Sequence, residues 1–290
     1  MIEPDIRPHL DHVFVTVEAD VLASVCDDKF FADGVFSRFL VKNVTSTLLG
    51  PYRTTNIVGR NTWVELFPDG APPFPGIRVG VVMSFDHPGE SLQARARLDR
   101  LGVTYHHELV RRKVAGHDDP QPWYHLVRPD FGHNSGFTLF LSEVTPEYFD
   151  RLGAQRGSDG AQDRHAYLDA VFKAPHLPSH YFEDIRRVVI ELDPGRAELL
   201  AAILTALGYR AEHHGTLRLS GPDVELEIRR VQHGHDRLVE LGLDLARPHG
   251  ESPRIVPLGS SSKISLSPSG HADAVWSFES PVHQPPEVGQ

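Results

Sequence analysis

From His12 onward apolar and polar positions alternate. "HVFVTV" sets Val13, Val15 and Val17 on one face and His12, Phe14 and Thr16 on the other, the period-two pattern of a strand. The following "ADVLASVCDDKFFADGVFSRFL" changes to helical spacing. "NVTSTLLG" and "TTNIVG" are β-rich and end in glycine, and "TWVELF" closes the stretch. The predicted order is strand, helix, strand, strand, strand.

"PDGAPPFPG", residues 68–76, reads as a Pro/Gly linker, after which the same order returns. "IRVGVVMSF" is a strand. "PGESLQARARLDRLG" is a helix with Pro near its first turn and Gly at its end. "TYHHELVRRKV", "PWYHLVRP" and "FTLFLSEV" are three more strands. Residues 145–184 are polar and broken, and read as a connector with one or two short helices. A third unit follows: "RRVVIEL", the helix "RAELLAAILTALG" ending at Gly208, then "YRAEHH", "TLRLS" and "VELEIRR". A fourth is eroded, with "RLVELGLDLAR", "RIVPLGSSSKISLSP" and "DAVWSF" as strands and no helix.

The expected fold is therefore α+β: repeated βαβββ units forming curled, cup-like sheets with helices outside. The expected division is a first paired domain over residues 1–144, a helical connector over 145–184, a second, degenerate βαβββ domain over 185–280 and a disordered tail over 281–290. A sheet curled in this way has a concave inner face, where a ligand would sit.

Composition narrows the function. The chain has 290 residues, 40% hydrophobic and 23% charged, as an ordinary globular protein does. A formal net charge of −10 argues against nucleic acid or an anionic membrane as partner. Cys26 is the single cysteine, so neither an internal disulfide nor a thiolate cluster is available, and it reads as a small hydrophobe on a helix. No apolar run approaches the ~18 residues of a membrane span. "MIEPDIRPHL" lacks the features of a signal peptide, so the expected location is cytoplasmic. The bias toward Arg over Lys, with plentiful Ala, Pro, Gly and Asp, suggests a GC-rich bacterial genome. Many of the 18 histidines fall in polar loops such as "GHDDP" and "HGHD", where solvation is the simplest reading. Nucleotide-binding glycine loops, HExxH and GxSxG are absent.

The unit order, "LDHV" in the first strand and "WVELF" in the last strand of the first unit resemble the vicinal oxygen chelate superfamily. That family includes glyoxalase I, extradiol ring-cleaving dioxygenases and bleomycin-binding proteins. The resemblance implies that the first and last strands of a unit lie side by side and each offers an inward ligand to one divalent ion. Carried over by position, His12 and Glu65 are the implied ligands from the first unit, and Glu143, in "FTLFLSEV", the one from the second. An imidazole with carboxylates suits Fe²⁺, Mn²⁺, Ni²⁺, Co²⁺ or Zn²⁺. The second unit departs from the pattern, with Arg78 or Gly80 where a histidine or glutamine is expected. His107 and His125 are candidates for the missing imidazole. In the third unit Arg187 stands where His12 would align and Glu225 is the match to Glu65.

Two functions follow from the resemblance. One is a metal-dependent isomerase, lyase or dioxygenase acting on neighbouring substrate oxygens, with bacterial secondary metabolism as the expected setting and His125 or Glu143 as catalytic base. The other is a metal-free protein that sequesters a small molecule. In either, Phe14, Trp63, Arg78, His107, Tyr124 and Phe140 are the expected substrate-binding residues. The expected partner is a small molecule. A homodimer remains open, since many relatives complete a cup across two chains.

Overall fold

The structure is a computed structural model and describes residues 6–71, 74–232, 235–268 and 273–279. The expected tail, 281–290, lies outside the described residues. The first unit is β1 (His9–Val17), α1 (Ala19–Asp27), α2 (Lys29–Ala32), β2 (Arg38–Ser46), β3 (Gly50–Val58) and β4 (Trp63–Pro68). The second is β5 (Val79–Ser84), α3 (Glu90–Leu101), β6 (Tyr105–Arg112), β7 (Gln121–Pro129) and β8 (Phe137–Val144). Two helices follow, α4 (Pro146–Leu152) and α5 (Arg164–Phe172). The third unit is β9 (Phe182–Leu192), α6 (Pro194–Ala206), β10 (Arg210–His214), β11 (Thr216–Ser220) and β12 (Glu225–Arg230). The last comprises β13 (Arg237–Leu245), β14 (Arg254–Leu258), β15 (Ser262–Leu266) and β16 (Asp273–Phe278).

The fourth unit is less eroded than its sequence suggests. "RIVPLGSSSKISLSP" is not one strand but the hairpin β14–β15, turning through Gly259 at φ +67°. What that unit lacks is the helix. In the first unit the helical stretch stops at Ala32, and Phe39 and Leu40 belong to β2.

Both sheets use one neighbour pattern. The first closes into an eight-stranded barrel in the order β1-β4-β3-β2-β6-β7-β8-β5. The second runs β10-β11-β12-β9-β13-β16-β15-β14 and stays open. In the first three units the first and last strands pair in parallel, whereas in the fourth β13 and β16 pair antiparallel; in each sheet the two units meet through antiparallel first strands. Closure of the barrel comes from β2 meeting β6 at Ser46 and Arg112. The corresponding β10 and β14 are only five residues long and remain edges.

The main core lies between the two sheets. The outward residues of β1 and β5, among them Val13, Val15, Val81 and Met83, pack with the apolar faces of α1, α3 and α6 and with the second sheet's Val188, Ile190, Leu241 and Trp276. Helices thus cover one face of each sheet, as the patterning predicts. Alternation leaves the opposite face of β1 to point into the barrel.

Candidate functional site

The barrel interior is divided by its side chains. Phe14, Phe67, Phe74 and Phe140 fill one part with tilted and edge-on ring contacts at centroid distances of 5.2–6.1 Å. Gly80 makes this possible: a Cβ there would stand 2.0 Å from the Phe14 ring. Phe74 comes from the stretch read as a linker, and it is buried.

The rest of the interior is a cavity of about 900 Å³, counting its solvent-open mouth. His12, Phe14, Trp63, Glu65, Tyr124 and Phe140 all line it, as the alternation on their strands predicts. Register explains the meeting of His12 and Glu65. Trp63 is the β4 partner of His12, and Glu65 is two residues further on the same face. Trp63 stacks on the His12 ring at 4.0 Å and 17°.

His12 sits between two carboxylates. Its Nδ1 is 2.9 Å from Asp11 Oδ2, and its Nε2 is 3.5 Å from Glu65 Oε2. Burial opposes a charge on this imidazole, but Asp11 and Glu65 outweigh it and push the pKa up to about 9. At neutral pH the group is therefore an imidazolium held by two anions. Asp11 and His12 both reach the cavity although they are adjacent, because the β1–β5 register shifts between Leu10 and His12. Asp11 is held in turn by Arg164 of α5, at 3.4 Å, and Arg164 also donates to the Leu10 carbonyl at 2.5 Å.

The connector is part of the site. Helices α4 and α5 pack on Trp63 and Trp123 and bring Tyr167, Val171 and Phe172 into the cavity wall. Its broken, polar sequence hides this role, since the residues that turn inward, among them Tyr148, Phe149, Tyr167, Leu168 and Phe172, are scattered along it. Two cations also line the cavity. Lys42 Nζ donates to the Val171 carbonyl at 2.7 Å and lies 4.2 Å from the centre of the Phe172 ring. Burial, with Arg112 and Lys173 nearby, lowers its pKa to about 8. Arg112 lies over the Trp123 ring at 4.5 Å and donates to the Tyr148 hydroxyl at 2.9 Å.

Four expected site residues are elsewhere. Glu143 alternates with Ser142 and Val144, which line the cavity, so its side chain points outward. There its carboxylate accepts from the backbone amides of Gly89 and Ser91, at 2.9 and 2.8 Å, and caps α3. It is therefore neither a ligand nor a base in the barrel. His125 lies between the inward Tyr124 and Leu126 and stacks on His107 across β6–β7, at 6.0 Å, outside the cavity. Neither can serve as the missing imidazole. Arg78 is exposed just before β5, and its carbonyl accepts from Thr16, away from the cavity.

These positions test the implied metal. From the second unit, the side chains facing the cavity on β5 and β8 are Val82, Phe140, Ser142 and Val144, and none is an imidazole or carboxylate. Among the described residues no group of three or more His, Cys, Asp or Glu side chains converges to hold an ion. The imidazole and carboxylate groups at the cavity are Asp11, His12 and Glu65, already tied up with one another and with Arg164 in ion pairs, and they do not fit the ligand set that the resemblance implies.

The second sheet repeats the register with other residues. Arg187 pairs with Glu225 across β9–β12, and Glu227 is two residues on. The counterpart of Glu65 is therefore Glu227 rather than Glu225, and it meets Arg187 Nη2 at 2.6 Å. Glu240 adds a second contact to the same guanidinium, at 2.8 Å.

Solved structures with the same fold include a hypothetical protein from Staphylococcus aureus, at 10% identity and a TM-score of 0.55, covering 87% of this chain and 95% of that one. Homoprotocatechuate 2,3-dioxygenase from Brevibacterium fuscum is similar at 14% identity and a TM-score of 0.41, covering 82% of this chain and 64% of that one. A variant of 4-hydroxymandelate synthase from Streptomyces coelicolor gives 12% and 0.43, covering 81% of this chain and 70% of that one. No curated protein matches the sequence. Among the described residues no helix is long and apolar enough to cross a membrane. One family model spans residues 10–278, and the chain belongs to that family, a family of unknown function (DUF5829).

Proposed function

We propose that the barrel binds a small, largely apolar, ring-bearing molecule without a resident metal ion. The observation that carries this reading is the character of the inward positions. Phenylalanine, tryptophan and tyrosine side chains from β1, β4, β7, β8 and α5 surround the cavity, while a few polar groups converge at one side. A flat apolar ligand gains about 25 cal/mol for each Å² it withdraws from water, and the rings add oriented contacts. Glu65, facing the cavity beside His12, supplies a carboxylate acceptor to a hydroxyl or N–H of the ligand. Asp11 and the Trp63 face keep the imidazole in place.

A second reading is favoured by the imidazolium itself. Buried between two carboxylates, His12 can donate a proton to a bound substrate and Glu65 can accept one, which is the minimum for a metal-independent isomerase or lyase. The metal-dependent dioxygenase reading rests on the resemblance, and needs ligands beyond those the barrel presents.

The test combines two measurements on protein purified without chelator. Metal content should be substoichiometric, and equal in wild type, His12→Ala and Glu65→Ala. The neutral fluorophore N-phenyl-1-naphthylamine should bind one site before and after EDTA treatment. One equivalent of metal in wild type that both variants lose, or dye binding that disappears with EDTA, would overturn the proposal.

A further inference from the structure

The two cations in the cavity wall make no contact ion pair with its carboxylates, although Glu65 lies near enough to Lys42 to favour its charge. Asp11 is engaged by His12 and Arg164, and Glu65 by His12. Lys42 and Arg112 have, among the described residues, no carboxylate within ion-pair distance. Their hydrogen bonds go to the Val171 carbonyl and the Tyr148 hydroxyl, both neutral. Aromatic faces, Phe172 and Trp123, cover part of each. Lys42 uses one of three donors in this way and Arg112 one of five.

A lysine and an arginine that sit in a partly dehydrated, aromatic-walled chamber without a carboxylate in contact carry an electrostatic cost, which the more distant Glu65 offsets only in part at Lys42. The cost falls when an anion enters, because the ligand then supplies the missing counter-charge in a setting of weak screening. Lys42 belongs to β2 and Arg112 to β6, the two strands whose meeting closes the barrel, and each lies against a helix of the covering segment. The positive wall is therefore built by barrel closure and by α4 and α5 together. The open second sheet shows the contrast: its Arg187 is saturated by Glu227 and Glu240.

We propose that the barrel's ligand is an aromatic or alicyclic acid, whose anionic group is taken by Lys42 and Arg112 while its ring packs on Phe14, Trp63 and Phe140. This rests on the proposed binding function, and deepens it by naming the ligand class.

2-Naphthoate and 2-naphthamide separate the two claims, since they share a ring and differ in charge. In fluorescence or calorimetric titrations at neutral pH, naphthoate should bind about tenfold or more tightly than naphthamide, the size expected for a charge-assisted contact. Lys42→Met and Arg112→Met should each erase most of that preference, with naphthamide still bound at one site. Retained naphthamide binding also shows that the variants are folded. Equal affinity for the two probes in wild type, or a naphthoate preference that survives both substitutions, would overturn the anion assignment and leave the binding reading standing. Failure of both probes to bind wild type would overturn both.

Discussion

Arg187 meets Glu227 at 2.6 Å, in the same register that brings His12 beside Glu65 in the barrel. Two copies of one sheet pattern thus place a cation against a carboxylate at equivalent points. In the open sheet the pair is a half-exposed guanidinium in a charged network. In the closed barrel it is a largely shielded imidazolium with a cavity beside it. Closure, not the pair alone, separates the candidate site from its structural counterpart.

The His12 pair makes stability depend on pH with a definite sign. The folded pKa, about 9, lies above the ordinary value of 6.5, so the native state holds this proton more tightly than the unfolded chain. The stabilisation is complete below about pH 6.5 and is lost as pH rises to about 9, with a ceiling on the order of 3 kcal/mol. Chemical denaturation across that range should show wild type losing stability relative to His12→Gln, with a flat difference below it. A difference that grows toward acid pH would contradict the assignment.

Lys42 acts in the opposite sense. Its folded pKa, about 8, is below the usual 10.5, so its charged form is disfavoured in the barrel. That penalty is present below about pH 8 and fades toward 10.5. Lys42→Met should therefore raise the melting temperature at neutral pH, by more than at pH 10. Destabilisation at pH 7 would mean that the bond to Val171 outweighs the burial of the charge.

Glu143 should matter to stability and not to the ligand. Glu143→Gln keeps the shape but weakens two charge-assisted bonds to the α3 N-terminus, at a cost of about 1–2 kcal/mol. Calorimetry should report the loss, while 2-naphthoate affinity measured below the new transition stays as in wild type.

Gly80 should resist replacement. A methyl group there collides with the Phe14 ring, which can move only toward the cavity or its Phe74 and Phe140 neighbours. Gly80→Ala should cost about 1–3 kcal/mol and weaken probe binding together with stability. A variant as stable as wild type, with unchanged affinity, would show that Phe14 is not held there.

The repeat and half of the site were legible in the sequence because they follow from local period. His12 and Phe14 alternate with valines, and Trp63 and Glu65 with Val64 and Leu66, so their common face is set before any tertiary contact forms. Glu143 misled for the same reason: reading it inward requires its strand's alternation one residue out of step with Ser142 and Val144, and both faces of that strand are buried. Lys42 and Arg112 are separated by 70 positions and meet only because the barrel closes, which no local pattern encodes. The covering helices carry their apolar residues on short, irregular segments, so their turn toward the cavity was hidden as well.

The central claim is that the barrel interior is the ligand chamber and needs no metal to hold its ligand. Val44 lies in the cavity wall, so Val44→Trp would fill the space without touching His12, Lys42 or Arg112 by substitution. The most direct measurement is a calorimetric titration of EDTA-treated protein with 2-naphthoate, in wild type and in this variant. One site in wild type, absent from a folded Val44→Trp protein, is the predicted result. Binding that requires an added divalent ion, or that persists unchanged in Val44→Trp, would contradict it.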